Sequence, residues 1–344
     1  MSPSPNWKKS LVFLIICLAM TIIQACGNEN SSQEEADADA VSEQEYPTTV
    51  TIGTASQGGA FYLIGGGLSN LLEPHLNVSS NIEATGGPIH NLQLIENGDA
   101  ELGMVTTGPL EEALSGEGEW LEEPYDNIRV VFPMYYTPFH WWAIEGSGVT
   151  SLNDVKSQRV GVGPAGGTSG TYSPKIHEIL ELETQDVQAG ISDLGSQMLD
   201  GQLDIISFAG GLPTPAATEI EAQAKINFFG IDGKYRERVM DEMKAFDKYT
   251  IESGTYETQT EDIETIAMYN FGIVHKNVNE DFVYDLVKAY HENIDSMIST
   301  HSALVESKEP DAILKNKQYP MHPGAIRYYE EIGIELPEEV YPEK

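Results

Sequence analysis

Cysteine is nearly absent from this 344-residue chain, which contains only Cys17 and Cys26, both close to the amino terminus. The long remainder therefore has no thiol for a disulfide, a cysteine metal site or a cysteine nucleophile. A Gly-x-Ser-x-Gly nucleophile elbow is also missing. These absences argue against the common hydrolytic enzymes, and no cofactor is expected.

Histidine pairs with metal-binding spacing are also missing. The eight histidines are scattered along the chain, and none forms the i, i+4 pair of a zinc-binding helix. The sequence therefore predicts no metal site.

Basic residues are scarce, with 19 lysines and arginines against 54 aspartates and glutamates and a formal net charge of -35. A nucleic-acid partner is excluded because no basic stripe exists to meet phosphates. The acidic surface indicates a saline or alkaline habitat or, alternatively, only a requirement for solubility. None of the five arginines falls in a candidate binding loop.

One long apolar run is present, from Leu11 to Ile23, and it follows Lys8 and Lys9. The run is shorter than a typical transmembrane helix. It is typical of a signal peptide, and a signal peptide is predicted over residues 1–25. The run ends in Ile-Gln-Ala-Cys, which resembles a bacterial lipobox and predicts lipidation of Cys26. A plain secretory signal with an incidental cysteine is the alternative. The polar residues 26–45 are predicted to be a disordered tether.

Strand-like and helix-like segments alternate in the rest of the chain, which predicts a doubly wound α/β fold with two lobes. Strands are predicted at Thr49–Thr54, Val78–Ala84 and Leu102–Val105, and helices at Ala60–Leu72, Ile89–Glu96 and Asp281–Thr300. The same order restarts after Thr150.

Glycine-rich turns lie between strand and helix at three places: Gly58-Gly59, Gly86-Gly87 and Gly166-Gly167-Thr168-Ser169-Gly170. Helix starts expose unpaired N–H groups, and glycine lets an anion approach the backbone closely. Each loop alone has an alternative interpretation as an ordinary tight turn. Together they predict a binding cleft beyond the carboxyl ends of the strands.

The ordered set of motifs resembles the TAXI family of TRAP-transporter solute receptors. The resemblance runs through the segments 52–62, 85–92, 98–105, 160–168 and 208–213 and the closing segment 322–333, which begins His-Pro-Gly-Ala. It implies a periplasmic-binding-protein architecture, with a small carboxylate-bearing solute, an organic acid or an amino acid such as glutamate, held in the cleft without an arginine. It also implies a TRAP membrane permease as partner and an extracytoplasmic, lipid-anchored location.

In this architecture crossing strands join the lobes, and they are expected near Phe139–Glu145 and Ile266–His275. Lobe 1 is then predicted over residues 46–145 and 266–344, and lobe 2 over residues 146–265. Core packing is expected for Trp142, and one of Trp141 and Trp142 is expected at the cleft. The predicted ligand-binding residues are Ser56, Gly58, Gly59, Phe61, Tyr62, Thr85, Gly86, Gly87, Asn91, Thr106, Thr107, His140, Trp141, Gly166, Gly167, Thr168, Ser169, Phe208 and Gly210.

Other classes remain open at this point. The same fold serves sensor input modules and adhesins, which a co-encoded membrane subunit would separate from a transport receptor. An enzyme on this fold would turn over its bound compound.

Overall fold

The structure is a computed structural model that describes residues 45–342. The predicted signal peptide, Cys26 and nearly all of the predicted tether lie outside the described residues. Within the described part, no helix combines the length and the apolar character needed to cross a membrane.

Strands and helices alternate through most of this part. The strands are β1 Thr49–Gly53, β2 Ser79–Glu83, β3 Leu102–Thr106, β4 Ile128–Ile144, β5 Arg159–Gly163, β6 Gln185–Gln188, β7 Ile205–Ala209, β8 Ile226–Phe229, β9 Asp247–Ile251 and β10 Ile263–His275. The α-helices are α1 Ala60–Leu76, α2 Pro88–Asn97, α3 Thr107–Ser115, α4 Thr168–Ile179, α5 Ile191–Leu199, α6 Pro215–Glu221, α7 Gly233–Glu242, α8 Glu280–Glu292, α9 Ile294–Thr300 and α10 Pro323–Glu331. Short 3-10 helices span Leu152–Asp154, Ser302–Ser307, Pro310–Lys315 and Glu338–Val340.

The strand order is β2-β1-β3-β10-β4-β7-β5-β6, with β8 paired to β4 and β9 paired to β10. Parallel strands occur in two sets, β1 with β2 and β3, and β5 with β6 and β7. Parallel neighbours require crossover connections, which the intervening helices supply. The predicted α/β fold is confirmed.

Two strands, β4 and β10, connect these two sets. The first part of β4, up to Pro138, pairs with β10, and its last residues, from Phe139, pair with β7 and β8. We call lobe 1 the part built on β1–β3 with α1–α3 and α8–α10, and lobe 2 the part built on β5–β9 with α4–α7. The sequence boundaries of the lobes stay a prediction, because β4 and β10 serve both.

Each lobe has its own buried core. Ile52, Val105 and Phe282 belong to the core of lobe 1. Lobe 2 has one core on each face of its sheet, and the neighbours Trp141 and Trp142 enter opposite ones. This opposition follows from the two-residue repeat of a strand.

Two predicted elements differ from the structure. β4 begins well before the predicted crossing at Phe139. The start of the strand was predicted too late because proline usually marks the end of a strand, whereas Pro133 and Pro138 are both paired with β10 within the ladder. The helical pattern over Asp281–Thr300 is broken at Asn293. The Asn293 amide donates to the Ala289 carbonyl at 2.9 Å, competing with the helical backbone bonds.

Candidate functional site

A cavity of about 50 Å³ lies where the strand-to-helix loops of the two lobes meet. In lobe 1 the loops after β1 and β2 reach it, and in lobe 2 the loops after β5 and β7 do. This is the carboxyl edge of the parallel strands, where open α/β sheets bind ligands. The lining residues are Ala55, Ser56, Gly59, Ala60, Phe61, Gly86, Gly87, Pro88, Tyr135, Thr137, Pro164, Gly167, Thr168, Ser169, Phe208, Ala209, Gly210 and Gly211.

Two helices from opposite lobes begin at this cavity. α1 starts after Gly59 and α4 after Gly167, and neither start has a side-chain cap. Within residues 45–342, the N–H groups of Ala60 and Phe61 in α1, and of Thr168 and Ser169 in α4, have no hydrogen-bond acceptor. The cavity therefore offers open donors and two positive helix ends, one from each lobe.

The Gly86-Gly87 loop contributes differently. Gly86 N–H donates to His90 Nδ1 at 3.2 Å, and Gly87 N–H donates to Thr85 Oγ1 at 3.0 Å. Ile89 N–H crosses to lobe 2 and donates to the Gly166 carbonyl at 3.0 Å. The loop was predicted as an anion cradle, but these three donors are already used within the protein. The loop is a wall of the cavity and a contact between the lobes.

Asn91 holds this loop in place from behind. Its amide nitrogen donates to the carbonyls of Thr54 and Met104, each at 2.8 Å, and its oxygen lies 2.8 Å from Thr85 Oγ1. The side chain is fully buried and does not line the cavity. Asn91 and Thr85 therefore tie the end of β1 and the middle of β3 to the start of α2.

Gly87 has a backbone conformation that only glycine adopts readily, with φ 121° and ψ -153°. A Cβ at this position would stand 2.9 Å from the Gly167 Cα of lobe 2. Glycine thus permits both the turn and the close approach of the lobes.

Tyr135 lines the cavity and was not predicted. Together with Met134 it lies opposite a single β10 residue, Asn270, and this β-bulge is a common device for redirecting a side chain. The residue is 1% exposed, and its hydroxyl has no hydrogen-bond partner among residues 45–342. Burial raises the pKa of Tyr135 well above 10, so the hydroxyl is a neutral donor. Its strand was missed because of the flanking prolines.

His140 and Trp141 do not line the cavity, although they were predicted to bind ligand. Trp141 is buried in lobe 2 and donates from Nε1 to His177 Nε2 at 3.3 Å. His140 contacts the Tyr256 hydroxyl at 2.9 Å, and that hydroxyl accepts from Thr214 N–H at 2.9 Å. Burial lowers the pKa of His140 to about 4, so the ring is neutral and supports the loop that carries Gly210.

The cavity brings together about half of the predicted residues. Those that line it are Ser56, Gly59, Phe61, Gly86, Gly87, Gly167, Thr168, Ser169, Phe208 and Gly210. Those that do not are Gly58, Tyr62, Thr85, Asn91, Thr106, Thr107, His140, Trp141 and Gly166. Three of the latter join the lobes: Gly166 accepts from Ile89 N–H, Gly58 accepts from Ala216 N–H at 3.3 Å, and Thr106 Oγ1 lies 3.1 Å from Thr168 Oγ1.

Charged side chains do not line the cavity in the described part of the chain. Four arginines form ion pairs elsewhere, namely Arg159, Arg236, Arg238 and Arg327, and Arg129 donates to backbone carbonyls. Among residues 45–342 there is also no cluster of three or more acidic, histidine or cysteine side chains that could hold a metal ion.

Two α/β lobes, crossing strands and a cavity between the lobes define the periplasmic-binding-protein fold. A solved structure of the periplasmic binding protein BugD has this fold and matches with a TM-score of 0.55 at 13% identity, covering 85% of this chain and 99% of BugD. The NMT1-like family matches residues 52–333, and the chain belongs to that family.

Two further solved structures are similar at lower scores. An ancestral arginine-binding protein bound to arginine has a TM-score of 0.49 at 11% identity, covering 76% of this chain and 99% of its own. A substrate-binding protein of an ABC uptake transporter from Streptococcus pneumoniae, with bound histidine, has a TM-score of 0.48 at 11% identity, covering 74% and 93%.

Proposed function

We propose that this protein is the extracytoplasmic solute-binding receptor of a TRAP-type secondary transporter of the TAXI type. It captures a small carboxylate-bearing solute between its lobes and delivers it to the membrane permease. The solute stabilises the closed arrangement because it contacts both lobes at once.

The observation that carries this proposal is the pair of uncapped helix starts that face one cavity. The open N–H groups of Phe61 and Ser169 belong to different lobes. A carboxylate that accepts from both would join the lobes and satisfy donors that are otherwise buried without acceptors. Binding and closure are thereby coupled through the same hydrogen bonds.

The assignment to a TRAP system of the TAXI type is supported by the ordered sequence motifs and by the absence of a lining arginine within residues 45–342. Membership of the NMT1-like family and the fold shared with BugD are consistent with it.

Lipid anchoring is part of the proposal and depends on Cys26. We expect wild-type protein to enter the detergent phase on detergent partitioning, and Cys26→Ser protein to remain in the aqueous phase. Equal recovery of both proteins in the aqueous phase would remove the anchor from the proposal.

Solute binding is tested by a thermal-shift screen of the purified mature domain against organic acids and amino acids, followed by calorimetric titration of the positive compounds. A solute that binds only the folded state raises the melting temperature. Tyr135→Phe removes one donor from the cavity and keeps the ring, so it is expected to weaken binding by about tenfold. Absence of any bound carboxylate would contradict the proposal.

A matched control is available on the neighbouring strand. Tyr269 in β10 is also buried and its hydroxyl also lacks a partner in the described part, but it does not line the cavity. Tyr269→Phe is therefore expected to leave binding unchanged. Equal losses of affinity in both variants would place the effect outside the cavity.

For transport, deletion of the protein is expected to abolish cellular uptake of the identified solute.

A further inference from the structure

The chemical class of the solute is limited first by the size of the cavity. The cavity volume is about 50 Å³. Pockets for drug-sized ligands are far larger, about 300–1,000 Å³. The closed lobes therefore accommodate a compact molecule.

Hydrogen-bond donors predominate at the cavity. They are the open N–H groups at the starts of α1 and α4 and the Tyr135 hydroxyl, which is 1% exposed and has no partner among the described residues. Tyr135 is independent of the helix ends, because it comes from the bulged strand β4. A single oxyanion group could accept hydrogen bonds both from the helix-start N–H groups and from the Tyr135 hydroxyl.

A positively charged group is disfavoured at the same place. The starts of α1 and α4 both carry the positive end of a helix dipole, and like charges repel. No aspartate or glutamate of residues 45–342 lines the cavity to pair with an ammonium. An ammonium without such a partner is costly to bury. An amino acid would therefore bind poorly here.

A second carboxylate on the solute is disfavoured for the converse reason. The helix starts and Tyr135 can stabilise one negative charge, but no lysine, arginine or histidine lines the cavity in the described part. The five arginines are engaged elsewhere, as in the Arg159–Asp204 pair at 2.6 Å. A second buried anion would remain without a counter-charge.

We infer that the solute is a compact monocarboxylate, with an oxo group, a hydroxyl or hydrogen rather than an amino group at C2. The inference rests on the proposed function, in which the solute is a carboxylate. It makes that function specific, because it separates this cavity from those that hold amino acids or dicarboxylates.

Calorimetric titration with matched probes tests the inference. Propionate, lactate and pyruvate share a three-carbon skeleton with L-alanine, which adds the ammonium, and with malonate, which adds a second carboxylate. Acetate and L-glutamate bracket the size. At least one of acetate, propionate, lactate and pyruvate is expected to bind at least tenfold more tightly than alanine, malonate and glutamate. Tightest binding of alanine, malonate or glutamate would overturn the inference and leave the receptor function standing. Failure of every carboxylate in this panel and in the wider screen would overturn both.

A charge variant tests the anion site directly. Ser56 lines the cavity near the start of α1, and Ser56→Asp would place a fixed carboxylate beside the solute. Affinity for the best monocarboxylate is expected to fall at least tenfold. Ser299→Asp adds the same charge on the exposed side of α9 and is the control. Equal affinity of Ser56→Asp and wild-type protein would overturn the inference.

Discussion

Tyr172 in lobe 2 donates its hydroxyl to Glu112 in lobe 1, with 2.8 Å between the two oxygens. Trp120 Nε1 donates to the other carboxylate oxygen of Glu112 at 3.0 Å. Lys175 Nζ lies 3.7 Å from the oxygen that accepts from Tyr172. A single carboxylate thus joins side chains of both lobes at the edge of the closed cleft.

Loss of this bond is expected to favour opening. Tyr172→Phe removes the hydroxyl from a bond to a charged acceptor, a type that contributes about 1.5–3 kcal/mol. Because that bond needs closed lobes, the radius of gyration of the variant, measured by small-angle X-ray scattering without added solute, is expected to exceed that of the wild type. Tyr284→Phe is the control, because Tyr284 donates to Glu331 at 2.8 Å entirely within lobe 1. An increase in both variants, or in neither, would contradict the role of Glu112 in closure.

Gly87 is expected to be essential for closure as well as for its turn. Gly87→Ala places a methyl group 2.9 Å from the Gly167 Cα and strains a backbone with φ 121°. We expect solute affinity to fall at least tenfold in calorimetric titration, together with a lower melting temperature.

The two effects are separated by a second glycine. Gly98 also has a positive φ, 73°, but a Cβ there meets nothing within 4 Å. Gly98→Ala is therefore expected to lower the melting temperature, since strain of this kind costs about 1–2 kcal/mol, and to leave affinity unchanged. Unchanged affinity in folded Gly87→Ala protein would remove this loop from the closure mechanism.

The sequence was sufficient to predict the fold and the location of the cavity, because glycine-rich turns after β1, β2 and β5 are local signals. It was not sufficient to predict which donors stay open. Whether Gly86 N–H is used depends on His90, and the open N–H of Ser169 depends on how α4 begins. Tyr135 was missed because its orientation arises from a bulge between two strands distant in sequence.

Acid is expected to destabilise the fold through buried histidines. Burial lowers the pKa of His140, His291, His301 and His322 to about 4 each. The unfolded chain, with histidine pKa values of about 6.5, binds more protons between pH 6.5 and 4. The contribution of these neutral histidines to the free energy of unfolding is therefore complete above pH 6.5. It decreases as the pH falls toward 4, by up to about 1.4 kcal/mol per pH unit for each histidine.

Urea unfolding at a series of pH values measures this dependence. His140→Phe is expected to lower stability at pH 7, because the contact with Tyr256 is lost, and to give a shallower decline below pH 6.5. His75→Gln changes an exposed histidine and is expected to leave the profile as in the wild type. An identical pH slope in His140→Phe and wild-type protein would show that His140 is not held neutral by burial.

Salt is expected to accelerate binding of an anionic solute. The chain has a formal net charge of -35, which repels an approaching carboxylate at long range. Salt screens this repulsion beyond a Debye length of about 8 Å at physiological ionic strength, and beyond a shorter distance at higher salt. The attraction at the cavity comes from N–H dipoles of α1 and α4, which act at contact distance. The association rate is therefore expected to rise with sodium chloride, and the dissociation rate to change little.

Stopped-flow fluorescence resolves the two rates, with the best-binding carboxylate of the calorimetric panel as the probe. Trp142 is a suitable reporter because its ring centroid lies 6.3 Å from that of Phe208, which lines the cavity. Potassium chloride at equal ionic strength is expected to give the same rates, since screening does not depend on the cation, whereas a dependence on sodium alone would indicate a bound ion. An association rate that falls steeply with salt would mean that a cationic side chain attracts the solute. That result would contradict a cavity in which only backbone dipoles and neutral hydroxyls meet the carboxylate.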